Sequence, residues 1–97
     1  MSLYVVLVNW TDQGARNVKD TVKRGEAFVA AAKQYNCKVR ELLWTMGSYD
    51  AVAIVEAPND EAMSTLSLST AMQGNVRTLT MRAYEKDAFA KVIAGLR

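Results

Sequence analysis

The chain contains no histidine. That removes the commonest ligand for haem and zinc, and the usual general base of serine and cysteine hydrolases. Any chemistry would have to run on carboxylates, hydroxyls, lysine, arginine, tyrosine or the substrate itself. There is one cysteine, Cys37, so no intrachain disulfide can form and an oxidising compartment offers no benefit. With Tyr35, Asn36 and Lys38 beside it and no base to activate it, Cys37 reads as a small buried side chain rather than a nucleophile. No metal or other cofactor is expected. Asp12, Asp20, Asp50 and Asp60 lack the spacing of a cation loop, and no glycine-rich phosphate loop is present. No apolar run approaches the ~20 residues of a membrane span, and no basic-then-apolar leader is seen, so a cytoplasmic protein without membrane partners is expected.

What is present is an ordinary globular composition. The 97 residues are 51% hydrophobic and 23% charged, with a net charge of +2, which predicts one domain over residues 1–97 with a single modest core. Lysines and arginines are scattered rather than blocked, which argues against nucleic-acid and membrane surfaces.

The order of elements follows from periodicity and punctuation. Leu3 to Trp10 is a β-branched, aromatic run of strand length. Thr11 to Gly14 offers N-cap chemistry for a helix reaching about Tyr35, with Ala15, Val18, Val22, Gly25, Val29 and Ala32 as its apolar stripe. Gly25 marks close helix–sheet contact, and Asn36 is a stop signal. Lys38 to Met46 and Tyr49 to Ala57 read as two strands of a hairpin joined at Gly47-Ser48. Pro58 ends the second of these, and Asn59-Asp60-Glu61 opens a helix running to about Gln73, before Gly74. Asn75 to Tyr84 alternates as a fourth strand, and Lys86 to Leu96 is a short helix with Phe89, Val92, Ile93 and Leu96 on one side. The order β-α-β-β-α-β plus a terminal helix is the ferredoxin-like α+β sandwich with a four-stranded antiparallel sheet.

The first strand also predicts an assembly. Leu3, Val5 and Leu7 point one way, and Tyr4, Val6, Val8 and Trp10 the other, so the strand is central and both sheet faces need cover. Two helices cover one face. A second copy on the other would give a homodimeric α/β barrel with a cavity between the sheets, and the terminal helix could bridge such dimers. On the fourth strand the set Leu79, Met81 and Ala83 is expected to pack on the helices. Thr78, Thr80 and Arg82 would then face the cavity together with Asn9, with Tyr49 and Asp50 at its rim.

Three blocks resemble the GYD domain family: Gly47-Ser48-Tyr49-Asp50, then Glu56 to Ala62, then Gly74 to Ala83. The opening Tyr4 to Gly14 is similar to that family's first strand and helix entry, so the likeness covers nearly the whole chain. Ser48 splits the Gly-Tyr-Asp signature. The resemblance implies the ferredoxin-like fold and kinship with dimeric α/β barrels, whose members include cofactor-free monooxygenases, isomerases, haem enzymes and small-molecule sensors; it implies no one activity.

The functional expectation is a dimer that binds a small, mainly apolar molecule. The alternatives are a cofactor-independent monooxygenase or isomerase acting on an aromatic or quinone-like substrate, and a structural or assembly subunit. In the enzyme reading Asp50 and Tyr49 are the candidate catalytic pair, acting as base and acid, with Asn9 beside them. Against this, Asp50 caps the hairpin and Tyr49 packs at the seam. Thr78, Thr80 and Arg82, with Asn9, are the candidate ligand-binding residues, Arg82 holding an anion or instead pairing with Glu41 or Glu56. Trp10 and Trp44 read as stacking surfaces or as core. Nucleic acid is not an expected partner, since stacking aromatics are missing from 51–57 and 76–83.

Overall fold

A computed structural model describes residues 1–97. Strand β1 (Ser2–Trp10) leads into a short helix α1 (Asp12–Arg16), a single 3₁₀ turn (Val18–Asp20) and helix α2 (Thr21–Gln34). Then come β2 (Lys38–Trp44), β3 (Ala51–Ala57), α3 (Asp60–Ala71), β4 (Val76–Ala83) and α4 (Lys86–Ala94). The four strands form one sheet in the order β2-β3-β1-β4, with every neighbouring pair antiparallel. This is the expected α+β sandwich, with β1 inside it and α2 and α3 over one face.

The long first helix is broken. Thr11 Oγ1 accepts the Gly14 N–H and starts α1, but Asn17 leaves helical geometry at φ −106°, ψ 30°. Its amide Nδ2 turns back to the Gln13 carbonyl at 2.9 Å, which also accepts the Asn17 N–H at 3.1 Å, so side chain and backbone together close α1. Gly14 sits where α1 meets the start of β4: a Cβ there would lie 2.0 Å from the Asn75 carbonyl oxygen. The break resets the helical phase, so Val18 and Val22 are exposed while Ala32 is buried. Helix α2 ends in a Schellman motif. Asn36 is left-handed at φ 61°, and the N–H groups of Cys37 and Asn36 donate to the Ala32 and Lys33 carbonyls. Cys37 then tucks into the core against that last turn.

Register settles the faces. Tyr4, Val6 and Val8 pair with Val55, Ala53 and Ala51 on one side and with Arg82, Thr80 and Thr78 on the other. Tyr4, Val6, Ala53 and Val55 form the core with Ala32, Met63 and Leu66, so this is the helix-covered face. Thr78, Thr80 and Arg82 therefore lie on it, and Leu79, Met81 and Ala83 lie on the open face, the reverse of the expectation for β4. A bulge between Val39 and Glu41 likewise turns Val39 onto the helix face with Leu42 and Trp44, where Val39 and Leu42 pack on the core.

The open face carries Leu3, Val5 and Leu7 of β1, Val52 and Ile54 of β3, and Leu79 and Met81 of β4. Leu79 and Met81 are 51% and 42% exposed. Only 11 of 97 residues are fully buried, so one side of the sheet lacks its packing layer. Helix α4 is exposed throughout, and its start is held by an Arg40–Glu85 ion pair at 2.5 Å and an edge contact between Tyr84 and Phe89. The radius of gyration, 14.5 Å, exceeds the ~12.5 Å of a compact chain of this length.

The Thr80 hydroxyl is buried with no hydrogen-bond partner. Replacing an orphaned hydroxyl by a methyl removes a desolvation cost, so Thr80→Val should stabilise the fold by about 1 kcal/mol, or roughly 4–8 °C in Tm. A lower Tm in thermal denaturation would show that this hydroxyl is satisfied.

Candidate functional site

Small residues on both layers leave a hollow between helices and sheet. Ala51 and Ala53 form part of its sheet side and Gly25 and Ala31 part of its α2 side, and its volume is about 90 Å³. Trp10, Trp44, Phe28 and Met63 give it aromatic and apolar walls. The lack of a side chain at Gly25 lets the Trp44 ring lie against α2, since a Cβ there would come within 3.0 Å of Trp44 and Leu42. Trp44 Nε1 donates to Thr21 Oγ1 at 3.1 Å, which fixes the indole from the same helix.

The polar lining includes Thr21, Arg24, Gln73, Asn75 and Thr78. Arg24 is half-buried. Its Nη1 donates to the Asn17 carbonyl at 2.7 Å and its Nη2 to the Gly14 carbonyl at 3.3 Å. These bonds bridge the break between α1 and α2 and hold the guanidinium in place. They neutralise nothing, and the ion pair of the chain is elsewhere, between Arg40 and Glu85.

The residues singled out in the sequence do not converge here. Asp50 extends the β1 ladder by one residue: its N–H donates to the Val8 carbonyl at 2.8 Å and its carbonyl accepts the Thr45 N–H at 2.9 Å. Its carboxylate Oδ2 accepts the Trp10 N–H at 2.9 Å, replacing the strand partner that β3 no longer provides. Tyr49 offers its carbonyl to Thr45 Oγ1 at 2.6 Å. The connection is thus a six-residue loop, 45–50, rather than a tight turn, with Gly47 at φ 110°. Asn9 pairs with Arg77 on the open face, on the opposite side of the sheet from Thr78, which lines the hollow.

Arg82 pairs with neither Glu41 nor Glu56. It donates to the Leu3 and Ala83 carbonyls and lies over the rings of Tyr84 and Tyr4, at 4.6 and 5.8 Å. Beneath it the Tyr4 hydroxyl donates to Asp60. Burial, and then the Asp60 bond and charge, push the Tyr4 phenol above its ordinary range, so it remains a donor pinning α3 to β1. Burial also raises the Cys37 thiol, in keeping with an inert core side chain.

Arg24, Thr21 and Phe28 were missed in the sequence. Their signal is a stripe of Thr21, Arg24, Gly25, Phe28 and Ala31 at three- and four-residue spacing, visible only once the helix is started at Thr21.

Asp50→Ala leaves the Trp10 N–H unpaired and should cost roughly 1–3 kcal/mol in urea unfolding, whereas Asp50→Asn keeps an acceptor and should cost about 1 kcal/mol or less. Equal stability of the alanine variant and the unmodified chain would remove the clamp role.

Comparison with known proteins agrees with this architecture. The GYD domain model matches residues 4–93. A Thermus thermophilus protein described as glutamine synthetase and cystathionine beta-lyase binding protein is 30% identical over 84 residues, covering 86% of this chain and 88% of its own. The crystal structure of a protein from Thermus thermophilus superposes with a TM-score of 0.56 at 23% identity, covering 88% of this chain and 95% of that one, a likeness of fold. The chain belongs to the GYD domain family.

Proposed function

We propose that the protein is a cytoplasmic homodimer in which each protomer binds a small, mainly apolar molecule in the hollow between helices and sheet. The observation that carries the binding reading is that hollow: aromatic walls, small residues on both layers and a few oriented polar groups, the usual make-up of a small-molecule site. It lies on the helix side of the sheet, not between two sheets.

The dimer reading rests on the open face. Four strands at ~4.8 Å spacing and about 3.4 Å per residue present on the order of 450 Å² in projection. A standard interface takes roughly 800 Å² from each partner. The exposed apolar side of α4, with Phe89, Val92 and Ile93, and Leu96 just beyond its end, all between 45% and 73% exposed, supplies further area. A lone buried thiol and the lack of any helix long and apolar enough to cross a membrane fit a reducing, aqueous setting.

A second reading, that the dimer docks on an enzyme, is favoured by the description of the Thermus relative. Native mass spectrometry of the untagged chain, alone and with glutamine synthetase, separates these readings. A dimer carrying mass that is lost on denaturation is the expected result. A bare dimer contradicts small-molecule binding, and a monomer contradicts the assembly. A stable complex with the synthetase supports the second reading, and separate species count against it.

A further inference from the structure

The hollow has an uneven distribution of spare hydrogen-bond donors. Arg24 carries five N–H donors, of which two are engaged with backbone carbonyls, and it has no carboxylate partner. Thr21, one helical turn earlier on the same face, accepts from Trp44 Nε1 and keeps its own hydroxyl proton. Both side chains line the hollow. A fixed, half-buried, unneutralised guanidinium beside a free hydroxyl favours an anion, and a guanidinium fork matches a carboxylate in particular.

The rest of the wall decides what carries that charge. Trp10, Phe28 and Trp44 offer ring surfaces suited to a flat apolar body. The hollow of about 90 Å³ is smaller than the ~150 Å³ cavity that encloses benzene. The occupant is therefore no larger than one ring, seated partly in the opening.

We infer that the hollow binds single-ring carboxylates, with Arg24 and the Thr21 hydroxyl holding the carboxylate and Trp10, Phe28 and Trp44 flanking the ring. This inference rests on the small-molecule reading above and adds the ligand's charge and size. Arg24 also ties α1 to α2, so the test must not depend on its replacement alone.

Both tryptophans of the chain, Trp10 and Trp44, line the hollow, so intrinsic fluorescence reports occupancy there. Benzoate and its neutral analogue benzyl alcohol are titrated against the unmodified protein, with calorimetry alongside. Benzoate should bind about ten-fold tighter or more, the range of a charge-assisted hydrogen bond. Arg24→Gln should abolish that preference while leaving benzyl alcohol binding, and Arg24→Lys should restore part of it, with circular dichroism confirming that both variants fold. Equal affinity of the unmodified protein for the two probes overturns the carboxylate inference and leaves the pocket reading standing. A benzoate preference that survives in Arg24→Gln also overturns it, by placing the anion elsewhere. If neither probe binds, both readings fall.

Discussion

Strand β1 has no side that belongs in water, and the rest of the molecule is arranged around that constraint. Tyr4, Val6 and Val8 are covered by α2 and α3, with Met63 and Leu66 closing the core. Leu3, Val5 and Leu7 face the other way, beside Val52, Ile54, Leu79 and Met81, and no element of the chain covers them. Burying a side chain of this size contributes about 1.5–3 kcal/mol, so an uncovered face of seven such residues is a large unused driving force for association.

The covered side is held by a few directional contacts at its ends. At one end the Tyr4 hydroxyl reaches Asp60, pinning the start of α3. At the other, the Asp50 carboxylate takes the Trp10 N–H, and Thr11 Oγ1 donates to the Gly74 carbonyl at 2.6 Å. Between these ends the layers meet through small residues, and close approach at Gly14 and Gly25 leaves the hollow beside them. In the motif that names the family, Asp50 completes a strand and the Tyr49 carbonyl closes a loop.

The order and type of the elements were legible in the sequence because each boundary carries local chemistry: the Thr11 and Asn59 caps, left-handed Asn36 and Gly74 at positive φ, and Gly25 against Trp44. The face of β4 was not. Hydrophobicity assigns a strand's inward side only when the other side is polar, and here the apolar set Leu79, Met81 and Ala83 belongs to the open face. Threonines instead meet the helices, and Thr80 does so with its hydroxyl unpaired. The bulge beside Arg40 and the helix break at Asn17 each shift the phase of the residues after them, and neither carries a strong local signal. Arg24 escaped notice for that second reason: on an unbroken helix it falls outside the apolar stripe.

The most direct test of this account is sedimentation velocity on the unmodified chain and on Val5→Glu, a change at the centre of the open face. The account predicts that the unmodified chain sediments as a dimer and that the variant sediments as a folded monomer, since one buried charge without a partner outweighs the gain from pairing the faces. An unmodified chain that stays monomeric at every concentration would contradict it.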